Sequence, residues 1–289
     1  MWSADALVEL AAGALRAREG ELALEQAVHG LDSLSEVALH PLLAPGFAGA
    51  GFGVLRETLY PAEWRRKRGR RRALPDDPQR QRCDLVLTPG PGQTIADPLA
   101  VLRVIEKIRA EASGTLFEPI TLMSANGGNV GVLAKETAPL PQRGGTAGVG
   151  AVKEVGAGDA YWLEVKAVGQ FTYTDAFPGP NRTYTAELTR GIPGDLRKLL
   201  SDERVERGGV LLVHFTADEG TARHDLAVVI HRCLDKGIQV RSPASAAFPI
   251  ATRIGNAFCT LSVLEPVRPA PEMPGAGDDG RGGDGVKGE

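Results

Sequence analysis

Apolar positions recur at helical spacing at the start of the chain: Leu7, Leu10, Ala11, Ala14 and Leu15 form one stripe, with Ser3 and Asp5 placed to cap it. Gly20 is read as a break. A second stripe, Leu24, Ala27, Val28, Leu31, Leu34 and Ala38, predicts a helix over 21–43, stopped by Pro45-Gly46. The pattern then changes to short apolar runs bounded by Pro and Gly. It predicts strands at "GFGVLRETLYP" (51–61), "RCDLVLT" (82–88), about 160–168, and "GGVLLVHFTA" (208–217). A helix with a Gly/Pro interruption is expected over 184–202, with Asp195 able to cap its part "DLRKLLS", and an amphipathic helix over 221–237 ending at Gly237. "IQVRSPAS" and "AFCTLSVLEPV" read as late strands. The order predicts an α/β domain with a mixed sheet flanked by helices.

Two stretches stand apart from this pattern. Residues 89–158 hold a helix-like piece (98–112), an apolar segment at 117–123 and a Gly-rich end, and read as an insertion. Residues 269–289 carry no apolar pattern and are expected to form a disordered tail. A single domain over 1–268 is therefore expected.

Composition narrows the picture only a little. Among the 289 residues, 43% are hydrophobic and the net charge is −3, which does not mark a nucleic-acid binder. Charge is uneven, however. Arg65, Arg66, Lys67, Arg68, Arg70, Arg71 and Arg72 put seven cations into one short block that could follow a phosphate backbone or be a solvated loop. Trp64 beside it could stack on a base or anchor the loop. Arg197 and Lys198 are further phosphate candidates, with ordinary helix-surface charge the alternative. Three widely spaced cysteines suggest neither a disulfide framework nor a zinc cluster, and point to a reducing cytoplasm. Neither a membrane-spanning run nor a secretory signal is expected.

Candidate chemistry lies in the strands. "DAYWLEVKAV" (159–168) places Glu164 and Lys166 on one face of an otherwise apolar strand, with Val165 on the other. Charge on such a strand needs a partner. Asp84 and Glu57 are further strand carboxylates. If the strands are neighbours, these acids converge beside Lys166 as an oxygen site suited to Mg²⁺ or Mn²⁺. The plain alternatives are a same-face ion pair for Glu164 and Lys166, pairing of Asp84 with Arg82, and pairing of Glu57 with Arg56 or the basic block. His214 reads as a satisfied core histidine.

The pattern Asp84…Glu164-Val165-Lys166, preceded by a helix bearing an acid, resembles the PD-(D/E)XK nuclease superfamily. "GFGVLRE" resembles the first strand of its Holliday-junction-resolvase-like members. The resemblance implies a restriction-endonuclease-like core, made by 21–43, 51–61, 82–88, 160–168, 184–202 and 208–217, with 89–158 inserted between the second and third core strands. It implies a Mg²⁺- or Mn²⁺-dependent nuclease acting on DNA, in which Asp84 and Glu164 hold the metal and Lys166 acts on the attacking water. Glu36 on the preceding helix, with Glu25 the second choice for the family's helical acid, or Glu57 would complete the shell; Glu36 could instead be a solvated acid or a partner of His40 at i+4. Cys83 stands where the family pattern has Pro. A catalytically inactive nuclease-fold module for nucleic-acid binding or assembly is the alternative reading.

Overall fold

The computed structural model describes residues 2–61, 81–96, 153–174 and 177–268. The basic block 65–72, the helix expected at 98–112, the apolar segment 117–123 and the tail 269–289 lie outside the described residues.

Two helices lead into the sheet, with boundaries that differ from the periodicity. Helix α1 (Ala4–Leu24) runs straight through Gly20 and ends where Gln26 takes a left-handed φ of 51°. There the Ala27 N–H donates to Leu22 and the Gln26 N–H to Ala23, which closes the helix without a glycine. Helix α2 (Glu36–Gly49) begins at Ser35, whose hydroxyl accepts from the Ala38 N–H. The single helix expected over 21–43 is thus two elements joined by a short 3₁₀ turn at Leu31–Ser33. Pro45-Gly46 does not stop α2. A Cβ at Gly46 would lie 3.0 Å from Ala14 Cβ and 3.1 Å from the Leu10 carbonyl, so this glycine lets the two helices approach closely.

Strands β1 (Gly53–Leu59), β2 (Arg82–Thr88), β5 (Tyr161–Gly169), β8 (Arg207–Thr216), β9 (Ala244–Pro249) and β10 (Phe258–Leu264) form a six-stranded sheet. Its order is β1-β2-β5-β8-β10-β9. Only β5 and β8 run parallel; every other neighbouring pair is antiparallel. A parallel pair needs a crossover. Here it contains a helical turn at Tyr184–Ala186, a π-type turn at Glu187–Gly191 and helix α3 (Ile192–Ser201). Helix α4 (Glu219–Asp235) links β8 to the last two strands and ends at Lys236, followed by left-handed Gly237, as its sequence predicts. The chain is therefore a mixed α/β fold with a mixed sheet flanked by helices.

The base of the insertion has structure that the glycine-rich reading of its end omits. β3 (Gln93–Ile95) and β4 (Lys153–Val155) pair in parallel. A hairpin of β6 (Phe171–Thr174) and β7 (Phe177–Pro180) follows β5.

Both faces of the sheet are covered. Leu7, Leu15, Leu39, Leu43 and Phe47 of α1 and α2 pack on Leu85, Leu163, Val165 and Leu211. On the other face Ile192, Leu196 and Leu199 of α3 and Val229 of α4 pack on Val86, Trp162, Val168 and Leu212. Burial on two sides explains why β5 and β8 read as almost unbroken apolar runs. Each fully buried Leu, Val or Phe contributes about 1.5–3 kcal/mol. It also makes the charges of β5 expensive unless other elements answer them. No helix among the described residues is long and apolar enough to cross a membrane.

Candidate functional site

β2 and β5 pair only from Leu85 to Leu87, against Leu163 to Tyr161. Past Leu163 the two strands separate, and β5 continues paired with β8 alone. The Asp84 side chain occupies the start of this slot. Its Oδ2 accepts from the Val165 N–H at 2.8 Å, in place of a ladder hydrogen bond. Cys83 and Val86 are buried on one face while Leu85 lies on the other, so the alternation slips by one residue at Asp84. Opposite it in β1, Glu57 has a left-handed φ of 52°, and the pairing of β1 with β2 skips these two residues. Non-glycine residues adopt this backbone rarely, and often at functional sites.

The charges of β5 are answered crosswise by α3. Lys198 Nζ lies 2.8 Å from Glu164 Oε1, and Asp195 Oδ2 lies 3.6 Å from Lys166 Nζ. The Tyr60 hydroxyl donates to the same Oε1. Lys166 also reaches through the slot to the first turn of α2, where Glu36 lies 3.0 Å away. The Lys166 ammonium thus stands between acids from helices on opposite faces of the sheet.

Burial raises the Glu164 carboxyl to about 7, with Lys198 and Tyr60 pulling it down and Asp84 pushing it up. For Lys166, desolvation lowers the pKa, but Glu36, Asp195 and Asp84 outweigh it and leave it raised. Burial also raises Asp195. An ammonium held in this way is a fixed positive charge rather than a free base.

His40 is the feature that sequence spacing misses. It is fully buried on α2, and the Glu36 carboxylate is paired with Lys166 instead, so the expected i+4 pair is not seen. Nδ1 lies 3.6 Å from Glu57 Oε1, and Nε2 lies 3.8 Å from Asp84 Oδ1. Both distances exceed a hydrogen bond. Neither ring nitrogen has a hydrogen-bond partner among the described residues. One donor atom from each of His40, Glu57 and Asp84 falls within 4.8 Å of the others. An orphaned buried imidazole aimed at two carboxylates is a donor set that suits a divalent ion, which would satisfy the nitrogen and offset the repulsion of the acids.

The structure therefore gathers Glu36, Glu57, Asp84 and Lys166 around one slot, with Glu164 on the α3 side of β5. Asp84 is not paired with Arg82, whose guanidinium donates to the Glu57 carbonyl at 2.8 Å. Lys198 is engaged with Glu164, and Arg197 donates to the Lys236 carbonyl at 3.2 Å. His40, Tyr60 and Asp195 join the site through tertiary packing. Helical spacing marks His40 only as a neighbour of Glu36, and nothing in the sequence marks Tyr60. Away from the slot, His214 is a core histidine, with Nε2 2.6 Å from the Tyr184 hydroxyl. Comparison with protein-family models, curated proteins and solved structures finds no match for this chain.

Proposed function

We propose that this chain is a divalent-metal-dependent nuclease with a restriction-endonuclease-like core, hydrolysing phosphodiester bonds in DNA. The observation that carries the reading is the meeting of Asp84, Glu36 and Lys166 where β2 and β5 part, next to the orphaned ring of His40. The order α2-β1-β2-β5-α3-β8, with two antiparallel pairs and then a parallel one, supports it.

In this reading Asp84 is shared: with Glu57 and His40 it makes the group whose donor atoms lie within 4.8 Å of one another, and with Glu164 it makes the metal-binding pair that the family resemblance implies. A bound divalent ion would polarise the scissile phosphate and acidify a water molecule. Mg²⁺ and Mn²⁺ both fit the oxygens, and the imidazole nitrogen favours Mn²⁺. Lys166, kept charged by Glu36 and Asp195, orients the attacking water and balances the negative charge that builds on the phosphate. The basic block Arg65–Arg72 supplies the charge to follow a DNA backbone.

The test is cleavage of end-labelled linear DNA and of circular DNA with Mn²⁺, with Mg²⁺, and with EDTA. Metal-dependent cleavage is expected, and it should be lost in Glu164→Ala and Lys166→Ala proteins that still melt cooperatively. Salt-dependent DNA binding with no cleavage in either metal would instead favour an inactive binding module. Undiminished cleavage in both variants would remove Glu164 and Lys166 from the mechanism.

A further inference from the structure

We infer that Lys198 and Tyr60 are positioning residues that hold one oxygen of Glu164 so that the other is presented to a divalent metal ion. The inference rests on the metal-binding role proposed above for Glu164.

The argument is geometric. Glu164 is buried in the middle of β5, and both of its partners converge on Oε1: the Lys198 ammonium at 2.8 Å and the Tyr60 hydroxyl. No side chain or backbone group among the described residues donates a hydrogen bond to Oε2. The clasp is itself held in place. Lys198 Nζ also donates to the Arg82 carbonyl at 2.9 Å and lies 5.0 Å from the centre of the Tyr60 ring. That ring stacks on Trp162 at 5.4 Å, and the Trp162 indole N–H donates to the Ala157 carbonyl. An ammonium with a carboxylate, a carbonyl and an aromatic face around it has its place fixed from three sides.

Asp84 repeats the arrangement. Its Oδ2 is fixed by the Val165 N–H, while Oδ1 faces His40. Each carboxylate thus has one anchored and one open oxygen. Partners of this kind orient metal ligands and limit the ordering lost on binding, and removing one commonly weakens metal affinity about 10- to 100-fold. The opposite role is also physically definite. If Lys198 merely occupied the place of a metal ion, deleting it would tighten metal binding.

Mn²⁺ titration calorimetry on the full chain at one fixed pH separates these roles. Lys198→Met should weaken Mn²⁺ binding about 10- to 100-fold, and Lys198→Arg should recover most of the loss. Tyr60→Phe, which keeps the ring and its stack, should weaken it in the same direction. In a Glu164→Gln background, Lys198→Met should cause no further loss, because both residues act through the one carboxylate. Binding as tight as wild type, or tighter, in Lys198→Met overturns the inference, as does an equal loss in the Glu164→Gln background. If Lys198→Met fails to fold, as judged by melting of the metal-free protein, Tyr60→Phe decides alone. A wild-type chain that binds no Mn²⁺ sinks the metal reading and this inference together. Wild-type binding with indifferent variants sinks this inference only.

Discussion

The Lys166 ammonium lies 3.0 Å from a Glu36 carboxylate oxygen, joining residues 130 positions apart across the slot between β2 and β5. This contact ties α2 to the strand that carries Glu164, and it keeps Lys166 charged and pointed into the slot. Glu36→Gln should therefore act through Lys166. If the chain cleaves DNA as proposed, this substitution should lower cleavage less than Lys166→Ala, whose loss is expected to be about 10²- to 10³-fold. Single-turnover cleavage in saturating Mn²⁺ gives both values. A Glu36→Gln protein impaired as severely as Lys166→Ala would make Glu36 a reacting or metal-binding group in its own right.

Two buried groups give the metal-free protein opposing pH dependences. Burial lowers His214 to about 4, with Asp225 pulling weakly the other way. The unfolded chain takes up that proton near 6.5, so stability is lost as pH falls from 6.5 to 4, by about 3 kcal/mol. Glu164 is raised to about 7 from 4.5. The native state keeps a proton that the unfolded chain releases, so this stability is full below 4.5 and is lost as pH rises through 7. Between pH 4.5 and 6.5 the two trends oppose each other in the urea midpoints of the wild type. Glu164→Gln should expose the acid-side fall, and His214→Gln the decline toward neutral pH. A wild-type profile in both variants would rule out this balance.

The sheet was largely legible because β2, β5, β8 and β10 are mostly buried apolar runs, and such runs need no partner to be recognised. The four strands expected at 51–61, 82–88, 160–168 and 208–217 all form. The helices were less legible for local reasons. Gln26 closes α1 in a conformation usually left to glycine, and Gly46 looks like a stop although it serves the α1–α2 contact. The oddity of Glu164 and Lys166 was visible in the sequence. Its resolution was not, because Asp195 and Lys198 answer them across a contact between β5 and α3. His40 was hidden for the same reason: its partners come from β1 and β2, and helical spacing points instead to Glu36.

Far from the slot, Arg253 fastens α1 to the loop before β10. Its Nη1 lies 2.7 Å from Glu19 Oε1, and its Nε donates to the Ala27 carbonyl at 3.0 Å. Both side chains are about nine-tenths buried. Removing one partner of such a pair leaves a buried charge without its counter-ion, at a cost of about 3–5 kcal/mol. Arg253→Met should lower the urea unfolding free energy by that amount, while Arg253→Met with Glu19→Leu should recover much of it. A loss below about 1 kcal/mol in the single variant, the range of an exposed pair, would contradict the burial.

His40 separates a metal ligand from a core residue most sharply. Its ring is fully buried with two nitrogens that lack hydrogen bonds among the described residues. An unsatisfied buried polar atom costs about 1–3 kcal/mol, so replacing the ring with leucine, of similar volume, relieves that penalty while changing the shape that the core must fill. His40→Leu should therefore leave the metal-free melting temperature close to wild type. Metal changes the comparison. At a free Mn²⁺ concentration about a hundred times Kd, binding adds about 2.7 kcal/mol, a rise of about 5–10 °C for a chain of this size. That rise should appear in the wild type, shrink in His40→Leu, and vanish in Asp84→Asn. Differential scanning calorimetry with Mn²⁺ and with EDTA measures all three. An unchanged Mn²⁺ response in His40→Leu would return His40 to the core as an unsatisfied residue, and leave the ion to the carboxylates alone.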